Sequence, residues 1–332
     1  MLRVDVLKSI VSLHPWESTY SRASRYFLSE KMRRVWTFAT MYLGMSPYAA
    51  PSTYSLLQYI ETVDGICPVE SILLSDTGSA TGVRLASGTE LHADTVVINA
   101  DLVYAYNELL PPSPQSRKLK QRPASCSSIS FFWGFSESLP YLQTHNVFLA
   151  DEYRESFDAI FAHHQIPNDP SFYVNVPSRI DSSAAPCDKE TVVVLVPVGH
   201  LTPTQTEEEW NDLVTRTRDK VLNIIESRTG LHSLRSKIVH EIVHTPVTWE
   251  KRFNLDRGAI LGLSHSFFNV LCFRPQMKHP RIGGLYFVGA STHPGTGVPV
   301  CLAGSKLVTR LIVQDWNSTG SRMFLYLHLT IG

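Results

Sequence analysis

A glycine-rich loop near the C-terminal end constrains the fold of this chain more than any other feature. The stretch VGASTHPGTGVP, residues 288–299, follows the apolar run Leu285–Phe287 and precedes a segment with a helical pattern. Its glycines permit positive φ angles and a close approach of the backbone to a ligand. Pro299 suits the first turn of a helix, whose free N–H groups favour an anionic or electron-rich ligand. The pattern therefore predicts a strand, a turn and a helix. The glycines are Gly289, Gly295 and Gly297.

The spacing of these glycines differs from the dinucleotide fingerprint. Gly297 is followed by Val298, Pro299 and Val300, so no G-x-G-x-x-G is formed. That pattern is absent from the rest of the sequence as well. From spacing alone, two alternatives stay open: a loop that contacts a cofactor, and a tight turn that binds nothing.

The order of helical and strand patterns along the chain predicts an α/β fold. Residues 1–66 carry apolar residues at helical spacing, and a β-meander with Asp-Thr-Gly and Ser-Gly turns follows. Asp101 stands where a helix N-cap belongs, ahead of LVYAYNELL. Residues 126–200 are rich in strand patterns, and residues 207–230 form the clearest helix. We therefore expect a parallel-sheet nucleotide domain interleaved with a substrate domain.

Composition excludes several classes of function. The chain has 332 residues, with 30 Lys and Arg against 30 Asp and Glu, so a binder of nucleic acid is not expected. Its five cysteines are scattered without a C-x-x-C pair, which favours a reducing, intracellular compartment and no cysteine zinc site. No signal peptide and no membrane-spanning segment is predicted.

The motif HEIVH, His240 to His244, matches a zinc protease motif letter for letter. Its flanks are β-branched, and Pro246 follows two residues later, which favours a strand over a helix. A strand would place the two imidazoles too far apart to share a zinc ion. We therefore predict a sheet segment and no metal site.

A short basic cluster adjoins an aromatic face in the N-terminal region. Lys31, Arg33 and Arg34 lie close in sequence to Trp36 and Phe38. Such a segment rests on a membrane surface in some proteins and is an ordinary amphipathic helix in more of them. We favour the ordinary helix from this pattern alone.

Three segments together resemble one family, the bacterial and fungal phytoene desaturases, and most of all their fungal form. GGLYFVGASTHPGTGVPVCLAGSKL, residues 283–307, is similar to the C-terminal segment of these enzymes that contacts the flavin. Residues 14–61, HPWESTYSRASRYFLSEKMRRVWTFATMYLGMSPYAAPSTYSLLQYIE, resemble their helical region. Residues 82–112, GVRLASGTELHADTVVINADLVYAYNELLPP, resemble the strand that re-enters the FAD domain. The resemblance extends to about residue 316.

The resemblance implies an activity and a cofactor. Members of this family use FAD to dehydrogenate phytoene, a C40 polyene, to lycopene or 3,4-didehydrolycopene. The expected partners are therefore an apolar carotenoid and the surface of a membrane with which the protein associates peripherally. The implied fold is a glutathione-reductase-like Rossmann domain interleaved with an α+β substrate domain.

Two sets of residues match the family motifs near the cofactor, while no catalytic acid or base is implied. The first set is Gly289, Ala290, Gly295, Gly297, Val298 and Pro299, in the segment that faces the flavin and its ribityl chain. The second set is Asn99, Ala100 and Asp101, at the end of the re-entrant strand.

The resemblance also predicts a division into domains. Residues 1–66 correspond to the helical, membrane-facing part, and residues 113–275 to the rest of the substrate domain. Residues 67–112 and 276–316 correspond to the FAD domain, and residues 317–332 form a divergent tail.

Two departures from the family pattern predict an incomplete chain. The family opens with a strand, a G-x-G-x-x-G turn and a helix that hold the FAD pyrophosphate, and none of these is present. At residues 65–68 a Tyr-Pro-x-Gly-Gly-type turn, a helix and a strand of the family are missing. We expect an N-terminal truncation and an internal deletion. The alternatives are a non-catalytic remnant, and a related FAD-dependent polyene saturase or amine-oxidase-like enzyme.

Overall fold

The N-terminal unit, Met1–Pro68, contains two short helices among its described residues. The computed structural model describes residue 14 and residues 16–37, 46–52 and 68–319. Helix α1 spans Thr19–Ser24 and helix α2 spans Glu30–Thr37, so the helical spacing predicted here is interrupted between the two helices. The helix predicted from TYSLLQYIETV, residues 53–63, lies outside the described residues.

The basic cluster of this unit is bonded locally. Arg33 donates to the carbonyl oxygen of Phe27 at 2.7 Å, and Arg34 pairs with Glu30 at 2.9 Å. The ring of Phe27 also lies 5.4 Å from that of Trp36. These contacts are those of an amphipathic helix whose cations have partners within the same unit.

The second unit, Val69–Gly332, holds the sheets. Its described strands are β1 (Val69–Leu74), β2 (Ala80–Leu85), β3 (Glu90–His92), β4 (Val96–Ile98), β5 (Ser127–Phe135), β6 (His145–Phe148), β7 (Phe172–Asn175), β8 (Glu190–Val198), β9 (Ile238–His244) and β10 (Leu285–Phe287). Its described α-helices are α3 (Leu102–Tyr104), α4 (Pro114–Lys120), α5 (Tyr153–Phe161), α6 (Glu207–Thr229), α7 (Leu234–Lys237), α8 (Pro246–Phe253) and α9 (Val298–Thr319).

Strands β1, β2 and β3 form an antiparallel meander, as predicted for the first two of them. The predicted meander also included residues 95–98, and this part was wrong, because β4 pairs in parallel with β10 in a separate sheet. Gly82 shows why the second strand carries a glycine, because an added Cβ would lie 2.0 Å from the carbonyl oxygen of Leu91 on β3. The third strand was not predicted as a separate element, since its three residues are too few to show alternation.

Strands β4 and β10 pair in parallel, with Val97 opposite Tyr286. The bond from the N–H of Val288 to the carbonyl oxygen of Ile98, 2.9 Å long, extends the pairing beyond the strands. After β4, Asp101 caps α3, which continues into a π-helical turn over Ala105–Leu109. Strands β4 and β10 are parallel, and each is followed by a helix. This arrangement confirms the predicted α/β class.

The five-stranded antiparallel sheet has the order β6-β7-β8-β5-β9. Alternate residues of its central strands, among them Phe131, Trp133 and Val194, are buried in a cluster that includes Trp210 and Val221 of α6. Helix α6 therefore covers one face of the sheet. It begins with a capping box between Thr206 and Glu209, and it ends at Gly230 with φ of 74°, where the sequence predicts its end.

The HEIVH motif lies in strand β9, which confirms the strand prediction. Glu241 of the motif accepts bonds of 2.7 Å from the indole N–H of Trp133 and of 2.7 Å from Arg218. It is thus a structural carboxylate that ties the sheet to α6. Across the described ranges, no three His, Cys, Asp or Glu side chains come close enough to hold a metal ion.

Candidate functional site

The carboxyl ends of β4 and β10 bring two predicted sets of residues together. Because the strands are parallel and in register, the residues that follow them, 99–101 and 288–292, meet at one edge. They enclose a cavity of about 110 Å³. Five of the nine predicted cofactor residues line it: Asn99, Ala100, Asp101, Gly289 and Ala290.

The wall of this cavity requires glycine at two places. Gly289 has φ of 117°, and an added Cβ would lie 2.9 Å from Oδ1 of Asn99. Gly262 has φ of 67°, and its Cβ would lie 2.1 Å from Oγ of Ser291. A side chain at either position would be both strained and too close to its neighbour. The segment around Gly262 is therefore part of the site, although its sequence carried no recognisable motif.

Arg274 stabilises the glycine loop by hydrogen bonds to backbone carbonyl groups. Its side chain is 2% exposed, and its Nε donates to the carbonyl oxygen of Ala290 at 3.1 Å. It also donates to the carbonyl oxygens of Asn269 at 2.6 Å and Ser264 at 3.3 Å. Burial lowers the pKa of Arg274, and the cation of Arg122 lowers it further. A buried guanidinium bonded to carbonyl groups fixes three backbone segments in one geometry.

The remaining four predicted residues lie farther along the loop and do not line the cavity. Gly295 and Gly297 have φ of 141° and 103°, and Val298 and Pro299 begin α9. The N–H of Cys301 donates to the carbonyl oxygen of Gly297 at 2.8 Å, so the N–H groups before it are free of helix bonds. The predicted strand, turn and helix are all present.

Asp101 is the titratable residue that joins this cavity to a second one. Its Oδ1 accepts a bond of 2.9 Å from the N–H of Tyr104, as expected of an N-cap. Burial raises the pKa of Asp101 to about 6, and the negative charge of Asp256 adds to the effect. Its carboxyl group therefore changes charge close to neutral pH.

The second cavity has a volume of about 450 Å³ and is mostly apolar. It lies on the face of the five-stranded sheet that α6 does not cover, beneath Trp249 and Phe253 of α8. Its end is closed by residues 99–101. The sheet contributes Ser128, Ser130, Phe132, Val193 and Leu195.

This arrangement fits one edge of a flat cofactor. At about 110 Å³, this cavity is much smaller than the apolar cavity of about 450 Å³. One part of its wall, formed by Gly262, Gly289 and Ala290, is backbone and a methyl group, which allows a planar ring to approach closely. The larger apolar cavity shares residues 99–101, Leu255 and Ile260 with it. A group held at this edge would thus face an apolar ligand in the second cavity.

Comparison with known proteins identifies the family to which the chain is similar. The sequence profile of a family described as flavin containing amine oxidoreductase matches residues 62–313. The chain is 48% identical over 361 residues to phytoene desaturase of Fusarium fujikuroi, covering 95% of this chain and 63% of that protein. It is 51% identical over 349 residues to phytoene desaturase of Neurospora crassa, covering 93% and 58%. The zeta-carotene-forming phytoene desaturase of Myxococcus xanthus is 39% identical over 345 residues, with 95% and 66% covered. These identities confirm the resemblance to fungal phytoene desaturases.

The chain spans less than two thirds of the length of the fungal proteins it matches first, 63% in the Fusarium case. Among solved structures, an oxidoreductase from Methanosarcina mazei aligns with a TM-score of 0.47 at 15% identity, covering 92% of this chain and 71% of that chain. A putrescine oxidase variant aligns with a TM-score of 0.47 at 10% identity, covering 92% and 69%.

Proposed function

The chain belongs to the family of flavin-containing amine oxidoreductases, and on that premise we propose that it acts in the FAD-dependent desaturation of phytoene. One observation carries the proposal: the glycine-lined cavity and the apolar cavity share five lining residues, which are Asn99, Ala100, Asp101, Leu255 and Ile260. Dehydrogenation of a polyene needs such a junction, because the carbon that loses hydrogen must lie against the flavin while the rest of the chain stays in an apolar site.

We propose that the cofactor and the substrate bind beside different hydrophobic clusters of the second unit. One cluster unites the meander with β4 and β10, and includes Ile98 and Phe287. The other lies within the five-stranded sheet and α6. We assign the first cluster to the cofactor; most of it lies in residues 67–112 and 276–316, and Leu119 and Leu263 join it from residues 113–275. The second lies within residues 113–275, to which we assign the substrate.

The glycine loop would hold the cofactor and the sheet face would hold the polyene. Gly289 and Ala290 would contact the ring edge, and the loop from Gly295 to Pro299 would offer N–H groups to the ribityl chain. When bound, the flavin supplies the oxidant for the C–H bond. Phe132, Trp249 and Phe253 would orient the polyene and exclude water.

Asp101 would accept the proton that the neighbouring carbon releases. Desaturation removes one hydride and one proton from adjacent carbons, so a base must stand beside the apolar ligand. Asp101 lines both cavities and its pKa of about 6 leaves it ionised at neutral pH. A base whose pKa lies near the working pH is effective in proton transfer.

An exposed aromatic patch supports peripheral attachment of the protein to an intracellular membrane. Phe267, Phe268 and Leu271 are 72%, 70% and 75% exposed, and Phe273 adjoins them. Arg122 donates to the carbonyl oxygen of Phe273 at 3.0 Å, so the patch is held in place although its rings face solvent. Among the helices that the structure describes, none is long and apolar enough to cross a bilayer.

The function is tested by supplying the 332-residue chain with FAD and with phytoene in phosphatidylcholine vesicles. We expect loss of phytoene and growth of longer-wavelength polyene absorption, followed by chromatography of the products. Asp101→Asn should slow turnover by at least about 100-fold, since a general base contributes 10²–10⁴-fold. Asp76→Asn, an exposed position in the meander, is the matched control. A preparation that holds FAD and phytoene yet forms no product would contradict the proposal.

A further inference from the structure

A third cavity, which we call the cleft, is separate from the two cavities described above. It has a volume of about 320 Å³ and lies between the π-helical turn, the Pro111–Pro114 segment and the turn at residues 279–282. That volume is within the range of small-molecule sites. It shares no lining residue with either cavity described above.

Tyr106 lines the cleft and carries a hydroxyl that makes no hydrogen bond among the described residues. Its side chain is 4% exposed and stacks between His279, at 5.4 Å, and Phe287, at 5.0 Å. The hydroxyl is thus available to donate to a ligand that supplies an acceptor in the cleft.

The neighbouring groups are donors as well. Nδ1 of His279 accepts the N–H groups of Arg281 at 3.1 Å and Ile282 at 2.8 Å, which leaves the proton of the neutral ring on Nε2. Burial lowers the pKa of His279, and Arg281 adds to this, so the neutral form is favoured.

The charges around the cleft are all positive. Lys118 and Arg281 stand at its rim, and no acidic residue is among its lining residues. Neither cation forms an ion pair with another residue of the described part of the chain. Leu110, Pro112 and other apolar residues form the rest of the wall. The cleft thus combines an apolar body with donors and cations.

We propose that this cleft binds a small organic anion, an apolar body with one carboxylate or phosphate head. The head would accept from the hydroxyl of Tyr106 and pair with Lys118 and Arg281. The apolar body would lie against the proline segment. This site does not depend on the chemistry proposed for phytoene.

The test uses the full chain and calorimetric titration with four probes of one chain length: octanoate, mono-octyl phosphate, octanol and octylammonium. We expect saturable binding of octanoate or octyl phosphate, and at least tenfold weaker binding of the neutral and cationic probes. The better of the two anions identifies the head group. Equal binding of octanol would overturn the proposal, and so would the absence of saturable anion binding below roughly 10 mM.

Variants then locate the site. Lys118→Gln with Arg281→Gln should weaken binding of the better anion by about tenfold or more, and Tyr106→Phe by about fivefold. Lys120→Gln, an exposed lysine of the same helix outside the cleft, is the matched control and should bind as the unaltered chain does. Because both cleft cations are exposed, the double variant should keep the melting temperature. Binding that is unchanged in the double variant would refute the assignment.

Discussion

The Nε of Arg274 donates a 3.1 Å hydrogen bond to the carbonyl oxygen of Ala290, in the middle of the glycine loop. Together with the bonds from Arg274 to Ser264 and Asn269, it joins the loop to the segment that carries the exposed Phe267 and Phe268. One buried cation thus connects the proposed cofactor edge with the proposed membrane patch.

Replacing Arg274 by alanine should destabilise the protein and loosen the loop. The change leaves at least three largely buried carbonyl oxygens without their donor. This loss should lower the free energy of unfolding by about 3 kcal/mol. Arg274→Lys should recover only part of this, because an ammonium cannot reproduce the fork of the guanidinium. Urea unfolding measures the free energy, and Arg310→Ala, an exposed arginine of α9, is the control. Equal midpoints for the two alanine variants would contradict this role.

Gly289→Ala should weaken FAD binding more than its backbone strain alone explains. The added Cβ would lie 2.9 Å from Oδ1 of Asn99, in the wall of the cavity. Gly88 offers a matched control, since it also has a positive φ, of 83°, and an added Cβ there meets no atom within 4 Å. We expect both variants to lose about 1–2 kcal/mol of stability from strain. Flavin fluorescence titration should show a loss of affinity for Gly289→Ala alone.

The parts of the fold that local residues determine could be predicted from the sequence. The N-cap at Asp101, the loop at Gly289 and the strand at His240 each depend on neighbours within a few residues, and each is present. The break between α1 and α2 was missed, because apolar spacing continues across residues 25–29 while the helix does not.

The site as a whole depends on contacts distant in sequence, which local patterns do not report. The sequence around Pro275 gives no sign that Arg274 differs from an ordinary surface arginine. In the folded chain, however, residues distant in sequence bury it. The apolar cavity joins residues 99–101 to Phe132 and Trp249, which come from three separate segments. In β8 both faces are mostly apolar, so its pattern could not tell the face under α6 from the face over the cavity.

Asp101 should make the protein less stable as the pH rises from about 4 to about 6. Burial raises the pKa of Asp101 to about 6, above an unfolded value near 3.9, so the folded state binds its proton more tightly. Asp101 therefore makes its full contribution to the free energy of unfolding below about pH 4. This contribution decreases by about 3 kcal/mol as the pH rises to about 6 and then stays constant. Asp101→Asn keeps an acceptor for Tyr104 and should remove this pH dependence. The exposed Asp76→Asn should leave it in place, as urea midpoints between pH 4 and 7 would reveal.

Replacing Phe267 and Phe268 by serine should abolish attachment to vesicles without unfolding the protein. The two rings are exposed, and burying each in a bilayer surface is worth about 1.5–3 kcal/mol, so the double variant should lose at least about 100-fold in partitioning. Cosedimentation with phosphatidylcholine vesicles measures this partitioning. Because phosphatidylcholine carries no net charge, the result reports the contribution of apolar contacts to attachment. Tyr153 and Phe157 of α5, which are 55% and 41% exposed, form a second exposed aromatic pair 4.9 Å apart. Serine at both of these positions is the matched control, and we expect it to change partitioning by no more than about twofold. Equal losses in the two double variants would show that general surface hydrophobicity, and not the patch held by Arg122 and Arg274, governs attachment.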